Sequence, residues 1–303
     1  MSTDTGAPAV TVIGLGPMGR AMAGAYLDKG YAVTLWNRSA GKADELVTRG
    51  ATLAASVDEA LGVGGPVVLS LTDYDAMYAI LEPAAASLPG RVIVNLTSDT
   101  PERAHAAAEW FAGHGARHLT GGVNTPPSGI GTSEVFTFYS GPRELFDELA
   151  PTLEVLTGTD YRGEDQGLAA LYYQIGMDLF WTTMLSWVHA LAIADANGIS
   201  AAEFLPYASQ STGGMSQFFE FYSPRIDAGE FPGDVDRLAM GVASIEHVLH
   251  TTEAAGVDTA LPKAVLELFR RGVADGHADD SFTSLFEVMR GSRTAASGGM
   301  TND

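Results

Sequence analysis

The first half of the chain alternates short β-branched runs with longer amphipathic stretches. Val10–Ile13, Ala32–Trp36, Val67–Leu71 and Val92–Leu96 are the continuous apolar runs that buried strands use, and between them Gly19–Lys29 and Pro101–Gly113 carry apolar residues at helical spacing. Strand and helix in alternation predict βαβ units on a parallel sheet. Two later runs, 117–123 and 135–140, extend that sheet, and the Gly-Gly and Pro-Pro pairs within 121–127 mark a loop between them.

Beyond Arg162 the strand pattern stops. Residues 166–197 make an almost unbroken helical stretch with one internal glycine, Gly176, and Asn197-Gly198 ends it as helix C-termini end. At 1.5 Å per residue such a helix spans roughly 45 Å, more than one small domain needs, so it is expected to bridge two. Helices are also expected over 201–210, 215–227, 235–255, 262–275 and 281–290, with no strand among them.

Composition narrows the function classes. With 303 residues, 46% of them hydrophobic, the chain can build two cores. Asp and Glu number 37 against 17 Lys and Arg, a formal net charge of -20. That field repels phosphate backbones and anionic lipid, so neither nucleic acid nor a membrane is an expected partner, and an anionic ligand has to be held by local charge. There is no cysteine, hence no disulfide and no thiolate metal site. His247 and His250 beside Glu246 lack a third ligand, and no metal is expected. The polar start MSTDTGAPA has neither a basic segment nor an apolar run, and no 18-residue uncharged apolar stretch follows, which points to a cytoplasmic protein.

Gly14-Leu15-Gly16-Pro17-Met18-Gly19 follows the first strand directly and opens a helix. In that context the three glycines allow, in order, a tight turn, close approach of a pyrophosphate to the backbone, and close packing of helix on strand. A dinucleotide-binding domain of the Rossmann type is therefore expected over 1–162, an interdomain helix over 163–198, an all-α domain over 199–292, and a disordered small-residue tail over 293–303. An acidic residue at the end of the second strand would accept hydrogen bonds from the ribose of NAD. Here stand Asn37, Arg38 and Ser39, with Lys42 following, donors that suit a 2′-phosphate, so NADPH is the expected cofactor. Ser39 reads equally well as a helix cap. Leu71-Thr72 and Asn95-Leu96-Thr97 lie at the carboxyl ends of the next two strands, where ribose and nicotinamide would be met.

GLGPMG, Asn-Arg-Ser, the LTD and NLT loops, GGVNTPPSGIGTSEVFTFYSG and the helix LYYQIGMDLFWTTMLSWVHALA together resemble the NADPH-dependent imine reductases of the β-hydroxyacid dehydrogenase superfamily. The resemblance covers almost the whole chain. It implies a Rossmann domain, a long interdomain helix, an all-α C-terminal domain interlocked in a homodimer, and reduction of imines to amines with NADPH. β-Hydroxyacid dehydrogenases carry a lysine early in the long helix; this chain has Leu171-Tyr-Tyr-Gln174 there, and no lysine between Lys42 and Lys263. An ammonium close to a cationic iminium would be repulsive, so its absence fits a C=N substrate.

The resemblance places an acid or orienting group at Tyr173, with Tyr172 one residue off register. Tyr173 and Trp181 share a helix face, with Met177 near that line, a stripe that suits either a pocket for an apolar amine precursor or plain core. Asn124 in the loop and Asp178, which interrupts an apolar stretch, complete the substrate-pocket candidates, Asp178 reading first as a residue that caps or pairs with a neighbouring helix and second as a charge in the pocket. The family pattern associates a tyrosine here with S-selectivity. A hydroxyacid dehydrogenase acting without the lysine, and a non-catalytic NADPH-binding sensor, are the alternatives.

Overall fold

The computed structural model describes residues 7–291, so the expected tail over 293–303 lies outside the described residues. Two compact units divide the chain near Leu179.

The first unit runs β1 (Ala9–Ile13), α1 (Pro17–Asp28), β2 (Ala32–Trp36), α2 (Asp44–Thr48), β3 (Thr52–Leu53), α3 (Val57–Gly62), β4 (Val67–Leu69), α4 (Tyr74–Leu81), β5 (Val92–Asn95), α5 (Pro101–Gly113), β6 (Arg117–Val123), β7 (Thr132–Ser140), α6 (Arg143–Leu153), β8 (Thr157–Gly163) and the start of α7 (Leu168–Ala196). The strands form one sheet in the order β3-β2-β1-β4-β5-β6-β7-β8. Pairing is parallel through β6. β7 then runs antiparallel to β6, and β8 parallel to β7, so the sheet is mixed. The eight-residue span between β6 and β7 is too short for the crossover that a parallel pair needs.

β1 is buried on both faces, and its residues alternate between two cores. Val10 and Val12 join Met22, Tyr26, Leu35 and Leu149 on one side, while Ile13 joins Leu69, Met77, Leu81 and Phe111 on the other. Thr11, also buried in β1, donates to the Ala60 carbonyl at 3.2 Å. The strand order reverses at β1, whose neighbours are β2 and β4. Ile13 pairs with both Trp36 and Leu69, so the loops after these three strands leave the sheet at one level, at the switch point where open α/β sheets bind ligands.

The second unit contains the rest of α7, then α8 (Ala201–Gly213), α9 (Met215–Asp227), α10 (Leu238–Ala254), α11 (Ala260–Ala274) and α12 (Leu285–Arg290). Ser200 caps α8 reciprocally with Glu203. α10 and α11 cross closely because Gly272 faces Leu238, where a Cβ would come within 2.6 Å of its side chain. Asp236 ties the unit together, accepting from Ser281 Oγ and the Phe282 backbone N–H as well as from the Tyr222 hydroxyl. Burial and that carboxylate push the Tyr222 phenol up to about 12. Few side chains of this unit are buried, and α8 has none.

Candidate active site

Gly14 has φ +99°, and a Cβ there would overlap the Ser70 carbonyl. At Gly19 a Cβ would overlap the Gly14 carbonyl. Both glycines are required by the chain's own packing. Gly16, the N-cap of α1, differs: its φ of -66° suits any residue, and a Cβ would meet nothing within 4 Å. The space beside that position is open, and the free N–H groups of the first turn of α1 present a positive end there.

A cleft of about 500 Å³ opens over this turn, lined by Gly14, Leu15, Gly16, Pro17 and Met18, by Trp36, Asn37, Arg38, Ser39 and Lys42, and by Ser70, Leu71, Thr72, Ala76 and Ile80. Arg38 and Lys42 are exposed at one end, and neither is ion-paired among the described residues. In a chain with so few cations, two uncommitted ones beside a glycine-rich turn fit a phosphomonoester. Ser39 has no capping bond, which leaves its hydroxyl uncommitted.

Asn37 is spent differently. Its Oδ1 accepts the Leu15 N–H at 2.9 Å and its Nδ2 donates to the Ser39 carbonyl at 2.9 Å, so it clips the glycine turn to the cationic loop. Asn95 and Thr97 are buried outside the cleft. Asn95 donates to Met77 Sδ and accepts the Thr97 N–H, and Thr97 Oγ1 accepts the Leu71 N–H at 3.1 Å, holding the loop after β4 in place. Gly19 likewise packs beneath the turn. Asp73 caps α4 through the Ala76 N–H, and Asp99 accepts the Tyr74 N–H. Trp36, Ser70, Ala76 and Ile80 are lining residues that the motif alone does not indicate. Trp36 and Ser70 adjoin the strand ends that hold motif residues, whereas Ala76 and Ile80 share a face of α4 only once that helix is placed.

The start of α7 is fixed by a polar cluster. Gln166 Nε2 donates to the His118 carbonyl and Thr120 Oγ1 donates to Gln166 Oε1, both at 3.0 Å. Ser140 Oγ donates to the Gln166 carbonyl and accepts the Ala169 N–H. Asp165 accepts the Gly167 N–H and pairs with His105, and Gln174 Nε2 donates to the Asp99 carbonyl at 3.1 Å. These contacts set the rotation of the helix. Tyr173 faces β6, where a Cβ on Gly122 would come within 2.8 Å of its own Cβ. Tyr172 turns to the far strands, under the Arg162 guanidinium at 4.5 Å and beside the Phe138 ring. Asn124, two residues beyond Gly122, faces Gly176, three residues along the helix from Tyr173. Met177 is half-buried in the same stretch. Asp178 is exposed but has an interacting partner. Trp181 belongs to the second unit, where it is 65% exposed and stands edge-on to Phe180.

Lys29 caps the far end of α1, and Lys42 lines the cleft beside Arg38 and Ser39, so the first unit places no lysine beside Tyr173. Among the described residues no three His, Asp or Glu side chains gather as a metal site, and no helix is long and apolar enough to cross a membrane.

Sheet order, glycine turn and cation pair define a dinucleotide-dependent protein of the Rossmann class. The comparisons agree: the NAD binding domain of 6-phosphogluconate dehydrogenase matches residues 9–163, and the NADPH-dependent reductive aminase-like C-terminal domain matches residues 165–291. The imine reductase of Bacillus cereus BAG3X2 is 62% identical, with 94% of this chain and 100% of that one covered and a TM-score of 0.85. The Streptomyces aurantiacus imine reductase is 60% identical over 93% and 99% of the two chains, with a TM-score of 0.90. The NADPH-dependent reductive aminase of Aspergillus oryzae is 29% identical over 93% of this chain and 97% of its own. The chain belongs to the NADPH-dependent imine reductase and reductive aminase family, oxidoreductases acting on C=N bonds.

Proposed function

We propose that this protein reduces cyclic imines and their iminium forms to amines, and that Tyr173 is the group that delivers or orients the proton at nitrogen. The observation that carries the reading is the surroundings of Tyr173 within the first unit, where the Asn124 carboxamide faces Gly176 one helical turn along and no lysine stands beside it. An ammonium about 4 Å from an iminium would cost roughly 4 kcal/mol at an effective dielectric of 20, so a lysine-free site favours a cationic substrate over a hydroxyacid. NADPH supplies the hydride when bound. Arg38, Ser39 and Lys42 hold its 2′-phosphate, the first turn of α1 meets the pyrophosphate, and Leu71 and Thr72 line the path toward the nicotinamide.

Tyr173 gives a neutral imine an O–H to lean on as its nitrogen gains basicity, and Asn124 orients the same nitrogen or its neighbouring carbon. A preformed quaternary iminium needs no proton, so it needs Tyr173 only for position. The tyrosine side favours S-configured products, which chiral analysis of a prochiral 2-substituted pyrroline product checks. Met177 and Asp178 complete the first unit's part of the pocket in this reading.

The second unit is a homodimerisation and substrate domain. Ile175, Trp181, Leu185 and Met240 are among the large apolar side chains it and α7 leave more than half exposed, a surface that a monomer in water does not keep open. The protein acts in the cytoplasm. One assay tests the reading: NADPH absorbance should fall rapidly with a small cyclic imine, while NADP with 3-hydroxyisobutyrate-like acids should stay silent. Hydroxyacid-dependent gain would replace it by a dehydrogenase, and silence with both despite measurable NADPH binding by a sensor.

A further inference from the structure

Five glycines lie in the interior of the described helices: Gly19, Gly24, Gly176, Gly241 and Gly272. Four have close neighbours inside the chain. A Cβ on Gly19 would overlap the Gly14 carbonyl, on Gly24 it would reach 3.1 Å from the Arg49 guanidinium, on Gly241 it would overlap the Phe269 ring, and on Gly272 it would press on Leu238. Gly176 has none. Among the described residues, and apart from the helix's own backbone, the atom within 4 Å of a Cβ there is Asn124 Oδ1, at 3.9 Å, an ordinary van der Waals distance. Its φ is not in the left-handed region, so the backbone does not need glycine either.

Glycine is the least helix-favouring residue after proline, and this one sits within a 29-residue helix where alanine would fit. A residue that weakens its own helix without relieving any contact keeps volume clear for something else. That volume adjoins Asn124 on the strand side and lies one helical turn from Tyr173.

We propose that Gly176 is a specificity-determining residue, the floor of the space that receives the ring or alkyl substituent on the imine carbon, so that side-chain size at 176 sets the largest substrate accepted. The proposal rests on the placement of the reaction beside Tyr173. Its chemistry is steric: each carbon added at 176 removes room for about one substrate carbon, and one methylene in an apolar pocket typically changes discrimination by roughly 10-fold or more.

The test compares kcat/KM for 1-pyrroline with that for a bulky 1-aryl-3,4-dihydroisoquinoline in wild type, Gly176→Ala and Gly176→Val. The bulky-to-small ratio should fall about 10-fold in Gly176→Ala and further in Gly176→Val, with the Kd for NADPH unchanged and the thermal unfolding midpoint of Gly176→Ala equal to or above wild type. An unchanged ratio overturns the proposal. A lowered unfolding midpoint or loss of self-association in Gly176→Ala also overturns it, because protein atoms, not substrate, would then fill the space. Tyr173→Phe serves as the separate control: if it leaves reduction of neutral imines intact while the size effect at 176 persists, the proton-delivery reading fails and this one stands; if it slows them while the size effect is missing, the reverse holds.

Discussion

Gly14 and Gly16 are the same residue for different physical reasons, and substitution separates them. Gly14→Ala must accommodate φ +99° and an overlap with Ser70, so it should cost at least about 2 kcal/mol of stability and lower the unfolding midpoint. Gly16→Ser places a favoured N-cap residue in open space; stability should hold or rise, while NADPH affinity falls about 10-fold or more by isothermal titration, since the hydroxymethyl occupies the ligand's side of the turn. Loss of stability without loss of affinity would mean the open space is not the ligand's. At the opposite end of the cleft, Arg38→Asp removes a fork-shaped cation and adds a charge that repels the 2′-phosphate. The ratio of kcat/KM for NADPH over NADH should fall by about two orders of magnitude, as expected from one charge-assisted contact worth roughly 1.5–3 kcal/mol; an unchanged ratio would make Arg38 a bystander. The motif residues were legible in sequence because strand, turn and helix chemistry coincide there. The use of Asn37 as a clip was not, since a carboxamide's partners depend on which backbone groups the fold leaves unpaired nearby.

At the scale of elements, β1, α1, β2 and β5 were readable from apolar runs and helical spacing. β3 is only two residues long, and β8, Thr157–Gly163, is a polar, glycine-containing edge strand with no run to detect. The choice between Tyr172 and Tyr173 was equally illegible, because periodicity fixes which residues share a face and not which face meets β6. The Gln166 cluster fixes the rotation that turns Tyr173 toward β6. Beneath the cluster lies His118 of β6, stacked on Phe111 with its ring centroid 4.8 Å away, and burial holds its imidazole down to about 3. The folded state therefore leaves His118 neutral where the unfolded chain, with an ordinary value near 6.5, takes up a proton. Its contribution is intact above about pH 6.5 and declines as pH falls toward 3, by roughly 2 kcal/mol between pH 7 and pH 5. Chemical denaturation at those two pH values should show His118→Phe losing about that much less than wild type over the interval; parallel losses would show that His118 is protonated or solvated in the native state.

For the whole molecule, a net charge of -20 surrounds a site argued to take cations. Raising salt from about 10 mM to about 1 M shortens the Debye length from roughly 30 Å to roughly 3 Å. kcat/KM for a quaternary iminium salt should then fall severalfold while that for a neutral imine changes little, provided NADPH is saturating; equal responses would remove electrostatic steering. The exposed apolar face of α7 to α9 should place the protein at twice its chain mass by light scattering, and a monomer at micromolar concentration would leave that face unexplained. The chemistry itself turns on whether one phenol serves a proton. Tyr173→Phe should therefore be measured on 2-methyl-1-pyrroline and on its N-methyl iminium salt with saturating NADPH. A drop in kcat of about 100-fold for the imine against less than about 3-fold for the iminium is the predicted result, and equal slowing of the two would contradict proton delivery by Tyr173.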